Sequence, residues 1–159
     1  MRHLMLFSAG TVAALGLIAA GPVLAQVPEC EGVPSDTRLL IEVDQIPSSK
    51  GHIATSLYPG DKSQFLIKNG ALKVWYAPVT LPVTHMCIYV KHPGTYAVVI
   101  YHDGNDNHKP DHSLFGYSER AGASNNPHLF FAAPTYDSSK FQAKTGDTTL
   151  RIHLQTGKS

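Results

Sequence analysis

Apolar and polar residues alternate with period two along much of this chain. Leu39, Ile41 and Val43 alternate with Leu40, Glu42 and Asp44, and Ile53, Thr55 and Leu57 alternate with Ala54 and Ser56. Leu72, Val74 and Tyr76 interleave with Ala71, Lys73 and Trp75; Met86, Ile88 and Val90 share one face, with His85, Cys87 and Tyr89 on the other. Tyr96, Val98 and Ile100 sit opposite Ala97, Val99 and Tyr101, and Leu150, Ile152 and Leu154 opposite Thr149, Arg151 and His153. Successive side chains of a strand leave on opposite faces, so such runs predict half-buried strands. Pro59-Gly60-Asp61, Asn69-Gly70, His92-Pro93-Gly94 and Thr145-Gly146-Asp147 punctuate them as turns. Asn69-Gly70 predicts a hairpin joining 65–67 to 72–76. Short helical turns are allowed around Gln64 and Ser138, but no longer amphipathic helix appears. The expected fold is all-β: a single antiparallel β-sandwich, transthyretin-like or Ig-like, of about seven strands, from near Leu39 to near Leu154.

Residues 1–25 read as a secretory leader: Arg2 and His3, then an apolar run, then Val23-Leu24-Ala25 as a small-x-small cleavage site. The reading places Gln26 first in the mature chain, a segment 26–38 before the sandwich of 39–159, and the protein in the periplasm or the medium. A retained membrane anchor is the alternative; the run is short for that. No later stretch is apolar enough to span a bilayer. Lys and Arg number 13 against 12 Asp and Glu, and removing Arg2 balances them. Nothing in that balance points to nucleic acid. Cys30 and Cys87 are the only cysteines. Export and the even count predict a bridge tethering the N-terminal segment, worth roughly 3–4 kcal/mol; two buried thiols are the alternative.

The long polar stretch 103–134 breaks the strand pattern. It opens His102-Asp103-Gly104-Asn105-Asp106-Asn107-His108-Lys109-Pro110-Asp111. Asp103, Asn105 and Asn107 match the first, third and fifth positions of a calcium loop, a Lys109 carbonyl the seventh, and Asp111 the ninth. Ca²⁺ takes oxygen ligands in that manner, and Glu119 is the nearest carboxylate that could close the shell. The match to a helical calcium hand is incomplete. His108 stands where glycine allows the sharp turn, Leu114 where a bidentate Glu belongs, and the flanks read as strand. The competing reading is an ion-free loop held by its own Asn and Asp side chains.

Other chemistry is thinner. His102, His108, His112 and His128 suit a transition metal but match no zinc spacing. His102, Asp103, His112 and Glu119 could serve a metal-dependent hydrolase if they converged in a cleft. Ser113 and Ser124 lie in no nucleophile-elbow motif.

Several blocks in order carry a resemblance. They are Gly94-Thr95-Tyr96-Ala97-Val98, the His102–Asp111 run, Phe115-Gly116, Glu119, Gly122 and Ser124-Asn125-Asn126, with Gly51 leading an early strand. The series resembles the uncharacterised secreted bacterial proteins of the domain-of-unknown-function 2141 family. Their pattern is approximately P-G-x-Y-A-V, H-D-x-N-x-N-G-x-x-D, G-x-P-x-E-G-x-G-x-S-N. His108, Ser118 and Arg120 depart from it, the first at a turn glycine. The resemblance implies export and a small β-sandwich, and no established activity. The expected function is therefore a non-enzymatic exported sandwich that binds Ca²⁺ through 103–111. The alternatives are a His/Asp/Glu hydrolase and an ion-free module for a protein or glycan partner.

Overall fold

The computed structural model describes residues 29–113, 116–117, 119–129 and 133–156, with backbone alone for 112–113 and 116–117. The leader expected over 1–25 and Leu114 lie outside them. Each alternating stretch is a strand: β1 (Thr37–Asp44), β2 (His52–Tyr58), β3 (Lys73–Pro78), β4 (Thr84–Tyr89), β5 (Gly94–Asp103) and, last, β10 (Gly146–His153). Between β5 and β10 lie four short pieces: β6 (His112–Ser113), β7 (Gly116–Tyr117), β8 (Ala121–Ala123) and β9 (Lys140–Ala143). Helical turns at Lys62–Gln64 and Tyr136–Ser139 fall where the sequence allowed them.

The strands form two packed sheets. One has the order β10-β1-β4; the other runs β3-β2-β5-β8, with β9 also on β5, and β6 pairs with β7 apart from both. In β1 period two becomes burial directly, buried and half-buried residues alternating throughout; in β3 the buried face is the other one, with Trp75 in the core and Leu72 and Val74 exposed. Leu39, Ile41, Val43 and Ile152 meet Ile53, Leu57, Val98 and Ile100 in one core cluster. Each such side chain contributes about 1.5–3 kcal/mol on burial.

Most neighbours are antiparallel, but β1 and β10 run parallel, from Thr37 opposite Gly146 to Asp44 opposite His153. A parallel pair needs a long crossover, and nearly the whole domain lies between these strands. Alternation along a strand is the same in either direction, so the pattern alone could not reveal it.

The hairpin expected at Asn69-Gly70 is not there. The bend is real, with Asn69 at φ 60 and the Gly70 N–H donating to Ile67 O at 3.1 Å. Its first arm, 65–67, is not a strand. Phe65 instead packs edge-on against Tyr58 and Tyr136, with ring centroids 5.0 and 5.8 Å apart. β3 pairs with β2 across the longer connection.

Cys30 and Cys87 are bridged, with Cα atoms 4.3 Å apart. The Glu31 N–H donates to Cys87 O at 2.8 Å and the Tyr89 N–H to Glu31 O at 2.9 Å. The N-terminal segment thus extends the edge of β4 rather than crossing the sheet.

Candidate functional site

β5 ends at Asp103, where the polar loop begins, and β2 opens beside it at Gly51. Gly51 has φ +75, and a Cβ there would lie 1.9 Å from Asp103 O. Only glycine lets the two backbones meet so closely, which is the physical content of the glycine that leads this strand.

Asp103 is fully buried. Its carboxyl accepts from the Asn107 N–H at 3.1 Å and the His108 N–H at 2.8 Å, folding the loop back on the strand end. Asn105 and Asn107 then make Asx-type contacts: Asn105 Oδ1 accepts from the Asn107 N–H at 3.2 Å, and Asn107 Oδ1 from the Lys109 N–H at 2.8 Å. Both side-chain amides donate to Asp111, Asn105 to Oδ2 and Asn107 to Oδ1, each at 2.8 Å. Glu119 closes the far side, accepting from the Gly104 N–H at 3.3 Å and the Asp111 N–H at 3.1 Å. The structure thus brings Asp103, Asn105, Asn107, Asp111 and Glu119 together, while Lys109 is exposed and takes part through its backbone. Among the described residues, no three His, Cys, Asp or Glu side chains are grouped so as to hold a metal ion.

Burial holds the Glu119 carboxyl above its ordinary value, and the charges of Asp111 and Asp103 push the same way against the two backbone donors. Tyr101, beneath the loop, is made a weaker acid by burial first, then by its hydrogen bond with Tyr76 and the nearby charges. The site is therefore a partly desolvated patch of negative potential.

His102 and Asp103 are consecutive on β5, so their side chains leave on opposite faces. The His102 Nε2–H donates to Lys50 O at 2.7 Å. The side chain of His112 is outside the described residues. The hydrolase set is thus not assembled in what is described.

Alternation missed the residues that seat this loop. Its Asp106 meets His52 Nδ1 at 2.5 Å. His108 takes φ 59, the conformation for which glycine is usual, and its ring stacks on Tyr76 with centroids 4.4 Å apart. Stacking worth about 0.5–1.5 kcal/mol offsets most of the 1–2 kcal/mol that this backbone costs. Tyr76 lies far away in sequence, and no local pattern links it to His108.

The Ser124-Asn125-Asn126 block is a structural clasp. Ser124 Oγ accepts from the Val98 N–H at 3.0 Å and donates to Ser139 O. Asn125 and Asn126 both have positive φ. Asn125 Nδ2 donates to Lys140 O at 2.8 Å, and Asn126 spans to β10, taking the His153 N–H at 2.8 Å and giving to Arg151 O at 2.9 Å.

The family model for an uncharacterised protein conserved in bacteria, DUF2141, matches residues 41–151. No curated protein and no solved structure matches the chain. The matched span runs from β1 into β10 and contains the acid loop, Glu119 and the Ser-Asn-Asn clasp.

Proposed function

The chain belongs to DUF2141, a family of uncharacterised proteins conserved in bacteria, and from that premise we propose an exported, non-enzymatic β-sandwich module that presents its acid loop to a partner. The observation that carries this reading is the closure of the loop by its own groups. Asp103, Asn105, Asn107, Asp111 and Glu119 hold each other and the loop backbone without a further component. A rigid polar loop at the end of a sandwich suits recognition of a protein or glycan. The Cys30–Cys87 bridge supports export to the periplasm or the medium. The engagement of His102 with Lys50 O supports a non-enzymatic role.

One observation favours calcium as a second reading. Asp103, Asp111 and Glu119 lie close enough for the first two to oppose ionisation of the third. A cation would reverse that repulsion, with the amides of Asn105 and Asn107 turned oxygen-first. The test is the melting temperature of thoroughly chelated protein, titrated with calcium. The self-closed loop predicts no response at millimolar calcium. Binding to the folded form alone would add about 2.7 kcal/mol at a hundredfold excess over Kd, and Asp103→Ala would abolish that gain.

A further inference from the structure

A second feature lies at the other end of the sandwich and is independent of the loop. β5 starts there and ends at the acid loop, about 23 Å from Tyr96 to Asp103 at strand rise. The N-terminal strip, the end of β2, the start of β3, the end of β4 and the start of β5 surround a cleft of about 1150 Å³. That is slightly above the usual volume of small-molecule sites, about 300–1,000 Å³.

The cleft has apolar walls and a cationic rim. Val33, Leu57, Leu72, Trp75, Val90 and Tyr96 supply much of the lining. Val33 is 85% exposed and Leu72 56%, an unusual degree for such residues beside a concavity. Lys73, Lys91 and His92 also line it, and among the described residues the lining holds no carboxylate. The Lys73 Nζ lies over the Trp75 ring, 5.3 Å from its centroid. Trp75 is only 5% exposed, and its buried Nε1–H has no hydrogen-bond partner. A buried donor left unmade costs about 1–3 kcal/mol, a cost this fold carries at Trp75.

We propose that this cleft binds the anion of a long-chain carboxylic acid. The alkyl chain lies along Val33, Leu72 and Tyr96. The carboxylate pairs with Lys73 and Lys91. Two lysines in a lining without a carboxylate among the described residues favour a monoanion over a neutral or cationic amphiphile. A second copy of this chain would bring its own Lys73 and Lys91 to the cleft, which disfavours it as occupant.

Trp75 is the only tryptophan, so the protein reports on its own cleft. The disulfide-bonded protein, exported and delipidated, is titrated with dodecanoate below its micelle concentration, following Trp75 emission and heat. Dodecanol and acetate are the comparison probes. The expected result is a saturable emission change at one site per chain, with dodecanol binding at least about tenfold more weakly and acetate not at all. Lys73→Glu with Lys91→Glu should weaken dodecanoate by at least about tenfold at an unchanged melting temperature. If that pair fails to fold, Lys91→Gln alone should still weaken it at least about threefold. No saturable change, equal affinity for dodecanol, unchanged affinity in the lysine variants, or concentration-dependent dimers that dodecanoate leaves intact would each overturn the proposal.

Discussion

Replacing Asp103 with alanine should cost about 2 kcal/mol, and the structure shows where that comes from. The carboxyl holds the N–H groups of Asn107 at 3.1 Å and His108 at 2.8 Å. A hydrogen bond to a charged acceptor is worth about 1.5–3 kcal/mol. Asn107 and His108 are exposed, so water reaches their N–H groups in the variant and the lower figure applies to each. Removing a negative charge beside Asp111 and Glu119 returns about 1 kcal/mol. The net loss of about 2 kcal/mol corresponds to roughly 6–10 °C in melting temperature for a domain of this size. Urea unfolding followed by far-UV dichroism measures it, in chelator so that no cation contributes. Asp103→Asn keeps one acceptor and should fall between wild type and alanine. Asp137→Ala, at an exposed site paired with Lys62 and Lys140, should shift the midpoint far less. A loss below about 0.5 kcal/mol for Asp103→Ala would refute the idea that this carboxyl closes the loop.

Three other perturbations test separate parts of the structure. Cys30→Ala with Cys87→Ala opens a loop of sequence separation 57 and should lose about 4 kcal/mol by unfolded-chain entropy; a urea midpoint and slope unchanged from wild type would contradict it. Gly122→Ala sets a Cβ 2.7 Å from Ile152 Cγ2 and 2.8 Å from His153 O. It should therefore cost about 1–3 kcal/mol by overpacking, and calorimetry showing no loss would mean β8 shifts freely. Glu119 holds its proton more tightly when folded than at its ordinary 4.5. Over the window opening at 4.5 the unfolded chain has released that proton while the folded chain keeps it, so stability falls as pH rises. Glu119→Gln should flatten that stretch of the pH–stability curve, and an identical slope would remove the argument.

The motif residues were legible in part. Asp103, Asn105, Asn107 and Asp111 stood out because oxygen-bearing side chains at alternate positions are a local pattern, and Glu119 because it was the nearest acid. What seats that self-closed loop on the sheet was not local: His52 and Tyr76 arrive from β2 and β3 by strand register. The glycine expected after Asn107 is replaced by His108, whose backbone keeps the glycine conformation while its ring rests on Tyr76. β8 was hidden in the polar stretch because Ala121-Gly122-Ala123 shows no hydrophobic alternation; its small residues fit the space against β10.

By itself, the sequence determined the six long strands, the buried faces of β1, β4 and β10, and the cysteine pairing; β3 buries Trp75 rather than the Leu72–Val74 face. The strands, those faces and the pairing follow from period two, from the leader-like first residues and from an even cysteine count, all readable within a few residues or by counting. Tertiary structure alone decided that β1 and β10 run parallel, that 65–67 packs as an aromatic flank instead of a hairpin arm, and that the N-terminal strip joins the edge of β4. It alone made a cleft from the N-terminal strip and the ends of β2 to β5, with the unpartnered indole of Trp75 among its lining residues. Pairing direction and concavity depend on which distant segments meet. Alternation within a strand is identical whichever neighbour it finds.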